Sequence, residues 1–360
     1  MAKVTKAATG KAYNEKESST ALLVNSRARP GSTLRALAAK KTPFVAIADD
    51  GLVAARAGLR RVSPGLITQK EAMRISKGVP RIDSPPELLF CGYWDLVSSN
   101  GLAIAEQAQR LAEPLSLPPT ARVMGPPSSL HVHGSVEVED YVCFDSRAGP
   151  IVVAEEASIE SFSRISGPCY IGRRAKILTA LVRGGTSIFE GCKVGGEVEN
   201  SIIMPYTNKA HSGYVGDSYV GEWVNLGAGS TFSNLKNTYG NVRTMVNGTW
   251  TDTGLLKLGP AIGDMAKVSI GATVFAGKKV GAGSQVTGLA ASDIPSFTYF
   301  DGLRRRAVEI RLASVIETQR RMKERRGLTL NRAEEELITL VFHSTSAERR
   351  GAGARKGRIF

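Results

Sequence analysis

The chain has 360 residues, 42% of them hydrophobic, and a formal net charge of +14. That length accommodates two or more domains, and no apolar stretch approaches the roughly 20 residues of a membrane-spanning helix. The four cysteines show no CxxC pair, so we expect neither a disulfide framework nor a metal site, and we expect a reducing cytoplasm.

The excess positive charge lies mainly near the C-terminus, in residues 303–326 and 349–358. No aromatic residues interleave with these charges, and no nucleic-acid-binding motif occurs. We therefore expect a solvated helix face and a basic tail, with no specific nucleic-acid partner and no membrane partner.

The N-terminal part of the sequence predicts a tail over residues 1–20 and then a small α/β unit with its linker over 21–125. Two short apolar segments flank a predicted helix around 33–40, and a second helical pattern covers 102–111. Several prolines after residue 113 indicate the linker.

A six-residue period dominates the middle of the chain. Neither an α-helix nor a β-strand produces this period, whereas hexapeptide repeats are typical of a β-helix. The sequence therefore predicts a mainly β fold, a left-handed parallel β-helix over roughly 136–291 within a domain of 126–295, with these aliphatic residues facing inward. The two regular runs are Val153, Ile159, Ile165, Ile171 and Ile177, and then Leu256, Ile262, Val268, Val274, Val280 and Val286.

The C-terminal part predicts helices within 296–344. Residues 302–326 have an apolar face beside arginines, and a second helix begins after Asn331, a candidate N-cap with Glu334 three residues later. Residues 345–360 are expected to be a disordered basic tail.

The hexapeptide period is interrupted between Ile202 and Tyr214, and again between Phe232 and Leu256. Excursions from a solenoid usually lie on one face and often bind ligands. The first excursion contains His211, the one histidine of four beside a Gly-rich turn of the repeat.

The first excursion and the following repeats carry motifs known from one group of enzymes. His211-x-x-Tyr214-x-Gly-Asp, followed by Val-Gly-Glu-x-Val-Asn-x-Gly-Ala-Gly, resembles the acetyltransferase half of bifunctional N-acetylglucosamine-1-phosphate uridylyltransferases. Gly167-Pro-Cys-Tyr-Ile-Gly, Gly195-Gly-Glu-Val-Glu-Asn-Ser and Ser233-Asn-Leu-Lys-Asn look characteristic of their sugar-nucleotidyltransferase-like relatives. The resemblance covers about residues 136–345.

The resemblance implies an acetyl-CoA-dependent acetyltransferase that acts on an amino-sugar 1-phosphate in nucleotide-sugar synthesis, as a homotrimer with sites between subunits. His211 corresponds to the catalytic base, a role that histidine fills well near neutral pH, and Asn234 to the residue that orients it. Residues implied in substrate binding are Arg183, Lys209, Tyr214, Asn225 and Lys236. Ala228 and Gly229 would leave room for acetyl-CoA.

Three alternatives remain open. A non-catalytic trimeric scaffold is compatible with the same repeats. A sugar-1-phosphate nucleotidylyltransferase would need Mg²⁺, but the family's Gly-rich nucleotide loop is missing and the N-terminal unit looks incomplete. A carbonic anhydrase of the β-helix class would need three converging histidines on zinc, and only His131-x-His133 forms a pair.

Overall fold

The computed structural model describes residues 20–48, 51–58, 73–74, 77–108, 117–246 and 248–357. The chain divides into two compact units, Met1–Asp95 and Leu96–Phe360. The predicted N-terminal tail, apart from its last residue, lies outside the described part.

The N-terminal unit contains a four-stranded sheet and a short helix, as its apolar segments predict. The strands are Thr20–Val24, Phe44–Ala48, Gly51–Gly58 and Arg81–Asp83, and the helix is Ser32–Ala39. The strand Phe44–Ala48 is buried along its whole length and pairs in parallel with Arg81–Asp83. A 3₁₀ turn at Pro86–Leu88 follows. The helix predicted at 102–111 begins earlier, at Tyr93, and runs to Ala108.

The second unit is a left-handed parallel β-helix of about ten turns, which confirms the predicted fold. Its strands form three faces, two of them joined by the long strands Lys176–Val182 and Lys193–Glu199, which bend across from the first face to the second. The first face contains Glu137–Val138, Ser158–Ile159, Asn208–Lys209, Asn225–Leu226, Lys267–Val268, Gln285–Thr287 and Thr298–Asp301. The second face contains Arg122–Met124, Cys143–Asp145, Arg164–Ser166, Tyr214–Gly216, Thr231–Phe232, Thr273–Val274 and Leu289–Ala290. The third face contains Leu130–Val132, Ile151–Val153, Cys169–Ile171, Thr186–Ile188, Ile202–Ile203, Tyr219–Val220, Ala261–Ile262 and Lys279–Val280.

The solenoid extends beyond the predicted limits, from a strand at Arg122–Met124 to one at Thr298–Asp301. The interior is a single apolar cluster in which Ile159, Ile165 and Ile171 are fully buried, as are Val268, Val274 and Val280 to within 1%. The period fails at two predicted positions. Leu256 is 46% exposed, and at the start of the strand Tyr214–Gly216 it is Val215, not Tyr214, that is fully buried.

The solenoid has three edges, where the chain turns from one face to the next. The edge between the first and second faces is called the His211 edge here, and that between the second and third faces the Asn234 edge. The third edge is covered by the C-terminal helices: Arg326 donates to the Gly191 carbonyl at 3.1 Å, and the Lys323 ammonium lies 5.8 Å from the Trp223 ring centroid.

The C-terminal region forms a cap on the last coil, and it corrects two expectations. Residues 302–311 are not helical: the strand Arg306–Glu309 pairs antiparallel with Thr298–Asp301. The helices are Leu312–Glu324, Arg332–Ser344 and Ser346–Gly351. The predicted disordered tail therefore includes a helix, whose Arg349 is 2% exposed and bonded to Glu309 at 2.7 Å.

The predicted helix start at Asn331 is confirmed. The Asn331 side chain accepts from the Glu334 amide at 3.0 Å, and the Glu334 carboxylate accepts from the Asn331 amide at 2.9 Å. This reciprocal pair satisfies two amides that the helix leaves unbonded.

We predict that Ile171→Asp abolishes cooperative folding of the solenoid, because an unpaired carboxylate would be buried in the apolar interior. Leu256→Asp is the matched control, since that position continues the six-residue period but is exposed. Circular dichroism during thermal unfolding should show a loss of the transition for the first variant and a near-native transition for the second. Equal effects of the two substitutions would contradict this description of the interior.

Candidate active site on the second face

A continuous polar network lies on the second face and the Asn234 edge. The Tyr214 hydroxyl donates to Glu199 Oε2 at 3.0 Å, and it accepts from Asn234 Nδ2 at 2.9 Å. Asn234 Nδ2 also donates to Asp217 Oδ2 at 2.6 Å, and Asn200 Nδ2 donates to Asp217 Oδ1 at 2.7 Å. Charge-assisted bonds of this kind fix side chains in one orientation.

The network arises from the repeat length. Asn200 and Asp217 are separated by 17 residues, as are Asp217 and Asn234, so successive coils place them above one another. Asn200 and Asp217 have φ values of 42° and 47°, a left-handed conformation that Asn and Asp tolerate better than most residues. The turn geometry therefore favours the same residue types that form the network.

Burial and the neighbouring Glu199 carboxylate raise the pKa of Tyr214, with burial the larger cause. The tyrosine is therefore a neutral hydroxyl that donates to Glu199 and accepts from Asn234. In the strand register, Tyr214 lies on the second face between Glu197 and Thr231 of the adjoining coils.

Arg183 lies beside this network but is already paired. Its Nε donates to Glu197 Oε1 at 2.6 Å, and the two side chains are 48% and 35% exposed. The hydrogen bond to Glu197 is the main cause that raises the pKa of Arg183. With Glu197 and Glu199 close by, more carboxylates than cations surround Arg183, an environment suited to an ammonium group more than to a phosphate.

Lys209, predicted to contact substrate, is inside the solenoid. It is 1% exposed and pairs in register with the buried Val194. Its ammonium donates to the carbonyl of Gly195 at 2.6 Å and to that of His211 at 2.9 Å. Lys209 thereby holds the backbone of the first excursion and presents no charge at the surface.

His211 lies exposed on the His211 edge, and its ring has no hydrogen-bond partner among the residues that the structure describes. Within one copy of the chain, Asn234 does not contact His211 and instead donates to Tyr214 and Asp217, so its predicted role in orienting His211 stays a prediction. The two residues are apart because His211 precedes the strand Tyr214–Gly216 while Asp217, below Asn234, follows it. The two predicted catalytic residues thus lie at opposite ends of the second-face strands.

The remaining predicted residues have clear positions. Asn225 Oδ1 accepts from Asn208 Nδ2 at 2.9 Å, which is an asparagine ladder on the first face. The Gly229 amide donates to the Ser212 carbonyl at 2.9 Å, so Ala228 and Gly229 lie directly beside the His211 turn. Lys236 is in the second excursion, where its ammonium donates to the Asn241 carbonyl at 2.6 Å.

Sequence reasoning missed the roles of Glu199, Asn200 and Asp217, although all three lie within motifs that it recognised. The detectable signal was the 17-residue spacing of Asn200, Asp217 and Asn234. It also did not predict that the second excursion forms an antiparallel hairpin, with strands Arg243–Val246 and Thr249–Asp252.

Two further observations concern alternative sites. In the described part of the chain, no group of three or more His, Cys, Asp or Glu side chains has the arrangement of a metal site, and His133 Nδ1 lies 2.9 Å from the Ser135 hydroxyl. No described helix is long and apolar enough to cross a membrane.

The chain is homologous over part of its length to bifunctional sugar-nucleotide enzymes. A bifunctional sugar-1-phosphate nucleotidylyltransferase/acetyltransferase from Sulfurisphaera tokodaii is 36% identical over 141 residues, which are 38% of this chain and 35% of that protein. The bifunctional protein GlmU of Heliobacterium modesticaldum is 33% identical over 154 residues, 42% of this chain and 29% of the relative. The match thus spans about a third of these relatives' lengths, and no protein-family model matches the chain.

Among solved structures, a UDP-N-acetylglucosamine acyltransferase from Francisella novicida aligns with a TM-score of 0.30 and 14% identity, over 64% of this chain and 94% of that one. This likeness is too weak to assign any residue.

We predict that the stability of the protein rises with pH above about 8 because of Lys209. Burial lowers the pKa of its ammonium from 10.5 to about 8. Between these values the unfolded chain holds the proton and the folded chain has released it, so raising the pH favours the folded state. Below about pH 8 both states are protonated, and the cost of burying the charge is largest.

Urea unfolding of the wild type and of Lys209→Met, followed from pH 7 to 10, tests this expectation. The variant lacks the titrating group, so the wild type should gain stability relative to it, by an amount on the order of 3 kcal/mol if the whole shift is realised. Lys176→Met, on the exposed part of the same face, should run parallel to the wild type. A constant difference between wild type and Lys209→Met would disprove the role of this lysine.

Proposed function

We propose that this protein transfers an acetyl group from acetyl-CoA to the amino group of an amino-sugar 1-phosphate, in nucleotide-sugar synthesis. The observation that carries the proposal is the Glu199–Tyr214–Asn234–Asp217 network, which lies one short strand away from His211. The partial homology to proteins named as acetyltransferases supports the same reaction class.

The chemistry follows from the charges of this face. An amino sugar arrives as an ammonium ion, which the carboxylates of Glu197, Glu199 and Asp217 attract. Loss of a proton to His211 leaves a neutral amine, whose nitrogen attacks the thioester carbonyl carbon. The C–S bond then breaks, and the nitrogen, now bonded to the acetyl carbon, loses a second proton that the departing CoA thiolate takes up, so that a neutral amide and CoA result.

The donor would approach along the His211 edge. Gly229 has a φ value of 71° there, so glycine is favoured and this turn presents no side chain at that position. Ala228 and Gly229 lie next to the His211 turn, and we assign them to the pantetheine arm of acetyl-CoA.

The four cysteines are free thiols, which suits a reducing cytoplasm.

We also propose a homotrimer in which the His211 edge packs against a neighbouring copy. Four large apolar side chains are exposed on the turns between the first and second faces, with Tyr141 and Phe162 at one end and Ile270 and Leu303 at the other. Phe162 is 72% and Ile270 is 78% exposed, and the rings of Tyr141 and Phe162 stack with centroids 5.6 Å apart. A row of such residues on one edge fits a self-association surface, and cyclic symmetry would then give each His211 a partner subunit.

Phe162→Glu should shift the trimer towards smaller species, because it would bury a carboxylate in an apolar contact. Sedimentation velocity at micromolar concentration measures this shift. The control is Leu340→Glu, on the helix Arg332–Ser344, where the side chain is 60% exposed and lies away from the His211 edge. A wild type that sediments as a monomer would contradict the assembly.

The reaction itself is tested by CoA release over a panel of amino- and hydroxyl-sugar 1-phosphates. We expect turnover with an amino sugar, and we expect His211→Ala to lower it by roughly 10²- to 10⁴-fold, the usual contribution of a positioned base. Binding of acetyl-CoA should change little, since the base acts on the amine. His343→Ala, an exposed histidine on a C-terminal helix, should retain full activity.

Full activity of His211→Ala would remove histidine from the mechanism. A wild type that acetylates none of the sugars would favour the trimeric scaffold. Release of pyrophosphate from a nucleoside triphosphate and a sugar 1-phosphate in the presence of Mg²⁺ would instead favour nucleotidylyl transfer.

A further inference from the structure

The second excursion encloses a cavity that none of the proposed catalytic residues uses. Its volume is about 460 Å³, and it lies between the hairpin and the turn after Thr273–Val274; its lining includes Ser233, Lys236, Arg243, Trp250, Phe275 and Lys278. That volume lies within the range of small-molecule sites.

The cavity is strongly basic. Lys236, Arg243 and Lys278 line it and no carboxylate does. Within the described part of the chain, no Asp or Glu forms an ion pair with any of these three side chains. Lys236 uses one of its three donors on the Asn241 carbonyl, so two remain for a ligand. Unpaired cations that converge on one cavity indicate an anionic ligand.

The same cavity offers two aromatic surfaces. Trp250 and Phe275 are 47% and 43% exposed, a large exposure for side chains of this size. The Lys278 ammonium lies 4.8 Å from the Trp250 ring centroid, so a cation and an aromatic face are presented together. A ligand that matches both features has a planar aromatic group close to a phosphate.

The hairpin that forms the cavity is held on the coil by specific contacts. The Lys279 ammonium donates to the Met245 carbonyl. The Gly277 amide donates to the Leu258 carbonyl at 3.0 Å. A Cβ at Gly277 would lie 2.4 Å from Val242 Cγ1, and the φ of this residue is 66°. The cavity therefore depends on a glycine that lets the hairpin approach the coil.

The cavity adjoins the polar network. Ser233 and Leu235 flank Asn234 in the chain and line the cavity, while the Asn234 side chain belongs to the network. The network is rich in carboxylates. Of the three cations implied in substrate binding, two are engaged elsewhere, Arg183 with Glu197 and Lys209 with backbone carbonyls. The phosphate-binding capacity of this region therefore lies in the cavity.

We propose that this cavity binds a nucleotide, with its base against Trp250 and Phe275 and its phosphates on Lys236, Arg243 and Lys278. The proposed reaction supplies one nucleotide, the adenosine bisphosphate end of the acetyl donor. A second would be present only if the acceptor sugar carried a nucleoside diphosphate in place of the 1-phosphate. The proposal goes beyond the acetyl transfer, and binding is measurable without turnover.

The test is isothermal titration of the full chain with 3′,5′-ADP, UDP and inorganic pyrophosphate. We expect one of the two nucleotides to bind, more weakly as salt is raised, and to quench tryptophan emission. Binding of 3′,5′-ADP identifies the donor as the source, and binding of UDP identifies the acceptor. Pyrophosphate that binds as tightly as the nucleotides would overturn the role of the aromatic residues.

Single substitutions test whether the nucleotide binds in this cavity. Lys278→Ala and Arg243→Ala should each weaken it about tenfold or more, as expected for the loss of a charge-assisted contact. Trp250→Ala should weaken it by roughly 5- to 100-fold, whereas Trp250→Phe should preserve affinity and remove the fluorescence change. Lys257→Ala, an exposed lysine near the same excursion that does not line the cavity, should bind like the wild type.

Absence of nucleotide binding at millimolar concentration, or equal binding by wild type and the three cavity variants, overturns the proposal. His211→Ala should keep full nucleotide affinity. A protein that binds a nucleotide in this cavity and transfers no acetyl group would refute the proposed function and leave the cavity assignment intact.

Discussion

Parallel pairing of each coil with the next is the constraint on which this structure depends. Backbone hydrogen bonds fix the spacing of neighbouring strands, and the apolar interior fixes which side chains face inward. A residue therefore lies above the one that precedes it by one coil, about 17 positions earlier in the central part of the chain. Asn200, Asp217 and Asn234 form a network because they occupy one such column, although each is an ordinary turn residue in its own coil.

The same constraint explains why Lys209 is inside. The turn between the strands Asn208–Lys209 and Tyr214–Gly216 has the same length as in the next coil, and Lys209 lies six residues after Ile203 and six before Val215, both fully buried. The inward position between them is therefore filled by a long amphipathic side chain. The stem of Lys209 packs against aliphatic neighbours, and its ammonium satisfies carbonyls that the irregular backbone leaves without strand partners. Burying a cation costs free energy. The two hydrogen bonds of the Lys209 ammonium offset part of this cost and fix the backbone beside His211.

The fold was predictable from the sequence because the same pattern recurs in many coils, so that a single irregular coil does not obscure it. The inward residues from Val153 to Ile177 and from Ile262 to Val286 agree with the structure, and the cap at Asn331 is local enough to be recognised. Leu256 was assigned wrongly because it belongs to the inserted second excursion. Tyr214 is out of phase because some steps between inward residues are five residues long, such as Val215 to Val220, and a count of six detects neither.

The site was less predictable, for reasons of long-range geometry. The pairing of Arg183 with Glu197 depends on the register of two coils, and the separation of His211 from Asn234 depends on which edge each turn occupies. The basic cavity brings Lys236 together with Lys278, which lies in a later coil, beyond the second excursion. The resemblance pointed to the right segments, but only the coil register shows which side chains share an edge.

The cap on the last coil has a consequence for how copies of this protein can associate. Arg306–Glu309 runs against the direction of the coil strand Thr298–Asp301, and its outer side pairs with Arg355 through two backbone bonds of 2.9 and 3.0 Å. A second solenoid therefore finds no matching parallel ladder to continue at this end, and stacking of coils into a fibre is blocked there. Growth of a fibre by addition of coils is therefore closed at the C-terminal end of the long axis.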